Sequence, residues 1–336
     1  MKAVAFQQSL PITHADSLVD VTLPDPIATG RDLLIEIHAV SVNPVDTKVR
    51  NNMPPATGWK TLGFDAAGVV RAVGPDVSFF KPGDRVWYAG TIGRAGSNSE
   101  LQLVDERIVG KMPASLDFAA AAALPLTSMT AWEMLFDRLE IRPGKTAINE
   151  SLLVIGAGGG VGSIMVQLAR RLTGLTVIGT ASRPETRAWV SQLGAHHVID
   201  HNASFADELK RIGALAPQYI VSLTHTDQHF AQIAEVIAPQ GKFGLIDDPK
   251  AVDVTLLKKK SVSLHWESMF TRSVFNTDDM VAQHHILTEM AELVDAGLIR
   301  STVAENFGTI NAENLKRAHA LLESGKSRGK IVLEGF

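Results

Sequence analysis

The chain has no cysteine among its 336 residues. That excludes a disulfide framework, a thiolate-held structural metal and a cysteine nucleophile. Long apolar runs are also missing. The best candidate, "FAAAAALPL" at 118–126, is interrupted by Pro125 and is far short of the roughly 18 apolar residues a spanning helix needs. A basic excess is absent too: the formal charge is −4, which argues against a nucleic-acid or anionic-membrane partner. The one basic run, Lys258-Lys259-Lys260, reads as a solvated turn before a strand. The start, "MKAVAFQQSLPITH", has one lysine and no sustained apolar stretch. The expectation is therefore no secretory signal and a cytoplasmic protein.

What is present is a globular composition, 45% hydrophobic and 20% charged, at a length that usually divides into two domains. The first 120 or so residues read as short strands ("AVAF", "LLIEIHAVSVN", "AAGVVRAVG", "DRVWYA", "SELQLV") broken by Gly, Pro and Asp turns. That pattern predicts an antiparallel, barrel-like module. From about Leu124 strands alternate with helical patterns. The apolar runs "LLVIG", "LTVIGT", "HVID", "YIVSL", "KFGLID" and "VSLHW" are mostly separated by stretches such as "ETRAWVSQL" and "QHFAQIAEVIA", which predicts a doubly wound parallel sheet. After about Met269, two helices and a final strand "GKIVL" are expected to return to the first module. The expected boundaries are 1–124, 125–268 and 269–336.

The densest signal is "VIGAGGGVG", Val154 to Gly162, with five glycines in nine positions. Apolar positions Ile164, Met165, Leu168, Ala169 and Leu172 recur after it at helical spacing, so the glycines fall in a strand-to-helix turn. Bare backbone there lets a pyrophosphate approach the first N–H groups of a helix, whose dipole favours an anion. Taking Ala157, Gly159 and Gly162 as the three fingerprint positions puts alanine first and predicts dinucleotide binding. The end of the second strand selects the dinucleotide. An acidic residue there would bind the ribose hydroxyl of NAD, but the chain reads "GTASRPE". Ser182 and Arg183 suit a 2′-phosphate instead, so NADPH is expected over NADH. Arg187, one helical turn on, either adds a contact or faces water.

The segments "VSVNPVDTKVR", "LGFDAAGVVRAVG", "FKPGDRVWY" and "LPLTSMTAW", in this order with the glycine turn, resemble the medium-chain dehydrogenase/reductase superfamily over nearly the whole chain. The likeness is to its quinone oxidoreductase branch, and "TASRPET" with "SVSLHWESMFTRS" is similar to the zinc-type alcohol dehydrogenase-like group. The resemblance implies α/β architecture: a GroES-like, mainly antiparallel catalytic domain, a Rossmann nucleotide-binding domain and an active site in the cleft between them. It also exposes the zinc question. Asn43 stands where zinc-dependent members have a cysteine, and Phe64 and Asp65 stand where they have His-Glu. "LPLTSMT" offers no third ligand, and "YAGTIGRAGSNSELQLV" has no structural-zinc cysteines. The pairs His196-His197 and His284-His285 lack ligand spacing and read as surface or core histidines.

Without a Lewis acid, hydride transfer to a quinone or an α,β-unsaturated carbonyl is favoured over alcohol oxidation. By resemblance, Asn43 orients cofactor or substrate, although it also fits a turn cap before Pro44. Asp46 holds that turn. Tyr88 fits either a hydrogen bond to a substrate carbonyl or a buried phenol tied to the backbone, and water is a possible proton source. Carried over by position, Thr127, Gly159, Gly160, Val161 and Gly162 flank the pyrophosphate. Leu223 and His225 pass the adenosine side. Ile246-Asp247 and Trp266-Glu267 edge the nicotinamide, and Lys330 either reaches the cofactor or ends a strand in solvent. The apolar edge "SVSLHW", paired across a two-fold axis in relatives, predicts a homodimer. Two alternatives stay open: an alcohol dehydrogenase with an unrecognised zinc site, and a non-catalytic NADPH-binding protein.

Overall fold

The computed structural model describes residues 1–144 and 149–336, which divide into two compact units. One is Met1–Met129 with Phe270–Phe336, the other Thr130–Met269.

The first unit is built on a seven-stranded sheet. Its long strand Asp32–Val42 alternates, burying Leu33, Ile35 and Ile37 between half-exposed neighbours, as a sheet with one covered face requires. It pairs antiparallel with Asp65–Val73, with Leu101–Asp105 and with the last strand, Lys330–Glu334. The pairing brings residue 330 next to residues 42 and 65, and the expected return of the chain end is realised here. Pro44 then stops the strand and opens the helix Pro44–Asn52 at its first turn, where the missing N–H costs nothing.

The second unit holds a six-stranded parallel sheet. In chain order its strands are Ser151–Ile155, Thr176–Thr180, His197–Ile199, Tyr219–Ser222, Lys242–Leu245 and Ser263–Trp266, and in space they run third, second, first, fourth, fifth, sixth. This is the doubly wound order, with the switch point between the first and fourth strands. Leu153, Ile155, Ile178, Ile220, Phe243, Phe205, Phe230 and Ile233 form one core. The first strand is buried throughout, which is why it reads as an unbroken apolar run rather than an alternating one. Among the described residues no helix is long and apolar enough to cross a membrane.

Candidate active site

At the switch point the first strand ends in the glycine turn. Gly156 takes φ +81°, and its N–H donates to the Thr180 hydroxyl at 3.1 Å. The left-handed position is Gly156, the residue before Ala157. Ala157 is buried behind the turn and needs no special backbone freedom. Gly162 is required for packing, since a Cβ there would lie 2.5 Å from the Gly156 carbonyl oxygen and 2.6 Å from Ala157 Cα. Gly159 caps the helix Gly160–Leu172. The first helical bond runs from Ser163 N–H to Gly159 O at 2.9 Å, leaving the N–H groups of Gly160, Val161 and Gly162 without a helical acceptor. These donors, at the positive end of a 13-residue helix, fit a pyrophosphate.

Past the second strand, Ser182 is half-buried and the Arg183 side chain is 41% exposed, its nearest carboxylate being Glu185 at 3.5 Å. Arg187 does not face water or reach outward. Its guanidinium donates to Ala181 O at 2.9 Å and Val198 O at 2.8 Å, tying the second strand's end to the third.

The remaining strand ends hold the other predicted residues. Asp247 is a cap: its carboxylate accepts from Thr226 N–H at 2.9 Å and from the Thr226 hydroxyl, fixing the start of the helix Thr226–Val236. Glu267 is buried and accepts from Arg138 Nε at 2.7 Å. Leu223, half-buried, donates its N–H to Ile155 O at 3.1 Å, and Ile246, also half-buried, donates to Ser222 O at 3.3 Å. His225 is exposed with φ +53°, and Trp266 is 55% exposed.

In the first unit the predicted residues meet in a sealed polar network. Lys330 is buried, not solvated, and its ammonium donates to Val42 O at 3.0 Å, Asp65 Oδ2 at 2.9 Å and Asn43 Oδ1. All three of its protons are committed within the protein, so none is left for a cofactor. Asn43 Nδ2 donates to Asp65 Oδ2 at 2.8 Å. Ser41 Oγ donates to the same oxygen at 2.8 Å, and Leu126 N–H to Asp65 Oδ1 at 2.7 Å. Asp65 is therefore the hub. Sequence reasoning registered it only as a zinc-ligand replacement, although a lone carboxylate opening an apolar run was the available signal. Asp46 accepts from Asn43 N–H at 2.8 Å and Gly63 N–H at 3.0 Å, and burial pushes its carboxyl up to about 7 against the pull of those donors and of Lys330.

Tyr88 and Thr127 both turn inward. Tyr88 is fully buried, its hydroxyl donates to Gln102 Oε1 at 2.7 Å, and burial holds the phenol well above its ordinary value. It is tied to a side chain, not to backbone or substrate. Thr127 is buried and its hydroxyl donates back to Leu124 O at 3.0 Å.

These residues do not fit zinc. The carboxylate at the ligand place already binds an ammonium, the amide beside it is spent on the same pair, and Phe64 packs edge-on against Phe270 with centroids 5.2 Å apart. Among the described residues no group of three or more His, Asp or Glu could hold a metal ion.

The architecture has clear relatives. The alcohol dehydrogenase GroES-like domain matches residues 29–114 and the zinc-binding dehydrogenase family matches 193–333. A zinc-type alcohol dehydrogenase-like protein of Staphylococcus aureus strain Mu50 is 37% identical over 335 residues, covering 99% of both chains. The chain belongs to the medium-chain dehydrogenase/reductase superfamily. Within that superfamily, the solved structure of a Rhizobium etli CFN 42 protein, provisionally labelled a zinc-dependent alcohol dehydrogenase, superposes with TM-score 0.97 at 57% identity, covering 100% of this chain and 98% of that one. An Escherichia coli quinone oxidoreductase complexed with NADPH superposes with TM-score 0.84 at 25% identity, covering 99% of this chain and all of that one. As a medium-chain dehydrogenase/reductase, the protein is an oxidoreductase.

Proposed function

We propose that this oxidoreductase uses NADPH and works without zinc, reducing a quinone or an α,β-unsaturated carbonyl. The observation that carries the cofactor choice is Ser182-Arg183 standing at the end of the second strand, where NAD binding calls for an acidic residue. The NADPH complex of the Escherichia coli quinone oxidoreductase supports the same choice. The chain's part is to hold and orient. Gly160, Val161 and Gly162 present N–H groups to the pyrophosphate, and Arg183 meets the 2′-phosphate. The bound nicotinamide supplies hydride. No described side chain is identified as the acid, so water is the proton source we assign.

Replacing Arg183 with Ala should weaken NADPH binding by about tenfold to over a hundredfold, the equivalent of roughly 1.5–3 kcal/mol for a charge-assisted contact. NADH binding should hardly change. Equal losses for both cofactors would show Arg183 to be structural and remove the assignment. Chelator treatment should leave activity intact on a quinone and enone panel, whereas loss restored by Zn²⁺ would overturn the zinc-free reading. The sixth strand forms one edge of the parallel sheet, with Ser263 and Trp266 exposed on it. We assign this edge to a homodimer, and a monomeric mass by light scattering at micromolar concentration would contradict it.

A further inference from the structure

Histidines gather where Arg183 leaves the sheet. The second and third strands are in register with Thr180 opposite Ile199, and Ala181 N–H donates to Ile199 O at 3.0 Å. The two segments that follow, Ser182-Arg183 and Asp200-His201, therefore emerge side by side at the carboxyl edge. The His201 ring meets His229 edge-on with centroids 6.2 Å apart, and His229 stacks on Phe205 at 5.4 Å. His229 Nδ1 is buried with no hydrogen-bond partner among the described residues. His225 completes the group, its Nδ1 lying 2.8 Å from the Thr224 hydroxyl.

His201 is held below its ordinary value by burial, with Asp200 opposing and His225 and Arg183 adding repulsion. His229 is lowered by burial and by His201 and His225, against Asp227 and Asp247. Two of these carboxylates are engaged elsewhere: Asp200 accepts from Asn202 N–H at 2.9 Å and Asp247 caps its helix. His201 and His229 thus disfavour the protonated form until an anion arrives, and a dianion placed beside them opposes that preference.

We infer that the 2′-phosphate of the dinucleotide is received by His201 together with Arg183, with His225 and His229 alongside, and that His201 takes up a proton as the phosphate binds. This rests on the NADPH reading above. Binding raises the imidazole's affinity for its proton, so NADPH affinity should increase as pH falls through the bound-state value and level off below the free-state value. For one proton the slope is at most about tenfold per pH unit. The phosphate's own second ionisation, near pH 6, limits the window to about pH 6.5–8.

The test is calorimetric titration of the full chain with NADPH, NADH and adenosine 2′,5′-bisphosphate at pH 7, in two buffers of different ionisation enthalpy. Net proton uptake is expected with NADPH and the bisphosphate and not with NADH, whereas ionisation of the phosphate alone would release protons. His201→Gln should abolish the uptake and weaken NADPH binding about threefold to tenfold at pH 6.5, leaving NADH unchanged. His201→Lys should keep the affinity but lose both uptake and pH slope. NADPH preferred over NADH with no uptake, or with the same uptake in His201→Gln, overturns this inference and leaves the cofactor assignment standing. Equal affinities for the two dinucleotides overturn both. If His201→Gln does not fold, the wild-type contrast between NADPH and NADH decides alone.

Discussion

The first unit's network and the second unit's carboxyl edge are both rich in polar groups, yet they are built on opposite principles. Around Asp65 every donor finds an acceptor inside the protein: Lys330, Asn43, Ser41 and Leu126 N–H all close on one buried carboxylate. Around the glycine turn the first helix N–H groups have no helical acceptor, and among the described residues a buried histidine nitrogen has no hydrogen-bond partner. A satisfied buried network rigidifies and fixes register, while polar capacity left open marks where something else is to bind. The residues with the strongest motif likeness, Asn43 and Lys330, therefore prove to be scaffold first.

This contrast can be broken most easily at Lys330. Lys330→Met leaves Asp65 buried without its cation and should cost about 3–5 kcal/mol in chemical denaturation. Combining it with Asp65→Asn should recover part of that loss. A cost below about 1 kcal/mol would show that the network is not sealed. Asp46 gives a smaller, pH-dependent effect. Its folded value of about 7 lies above the ordinary aspartate value of 3.8, so its contribution is fully present below pH 3.8 and is lost as pH rises through 7. The stability advantage of wild type over Asp46→Asn should therefore shrink by roughly 1 kcal/mol between pH 6 and pH 8, measured by denaturant melts. An advantage that grows with pH would mean the carboxylate is the stabilised form. The smallest effect belongs to the open region. Arg183→Ala should move folding stability by no more than about 0.5 kcal/mol, because an exposed pair with Glu185 contributes little.

How much was legible in the sequence followed from range. The six buried strands, the strand-to-helix turn and the missing acidic residue after the second strand are local patterns, and the parallel sheet and cofactor fingerprint could be read directly from them. Tyr88 could not be placed, because its partner Gln102 lies on a segment whose pairing no local periodicity reveals. The conformation within the turn was not legible either. Glycine counting shows that bare backbone is needed, but only φ shows that Gly156 takes the left-handed position while Ala157 fills the core.

By itself the sequence determined the two-part architecture, the dinucleotide turn and the absence of a cysteine zinc site, because periodicity, residue conformational freedom and ligand chemistry are properties of a residue and its near neighbours. Only the tertiary structure decided that Lys330 is buried on Asp65, 265 positions away, and that His201 shares an edge with Arg183. Both depend on strand register, and register is fixed by burying whole faces of a sheet at once rather than by any single residue along the chain.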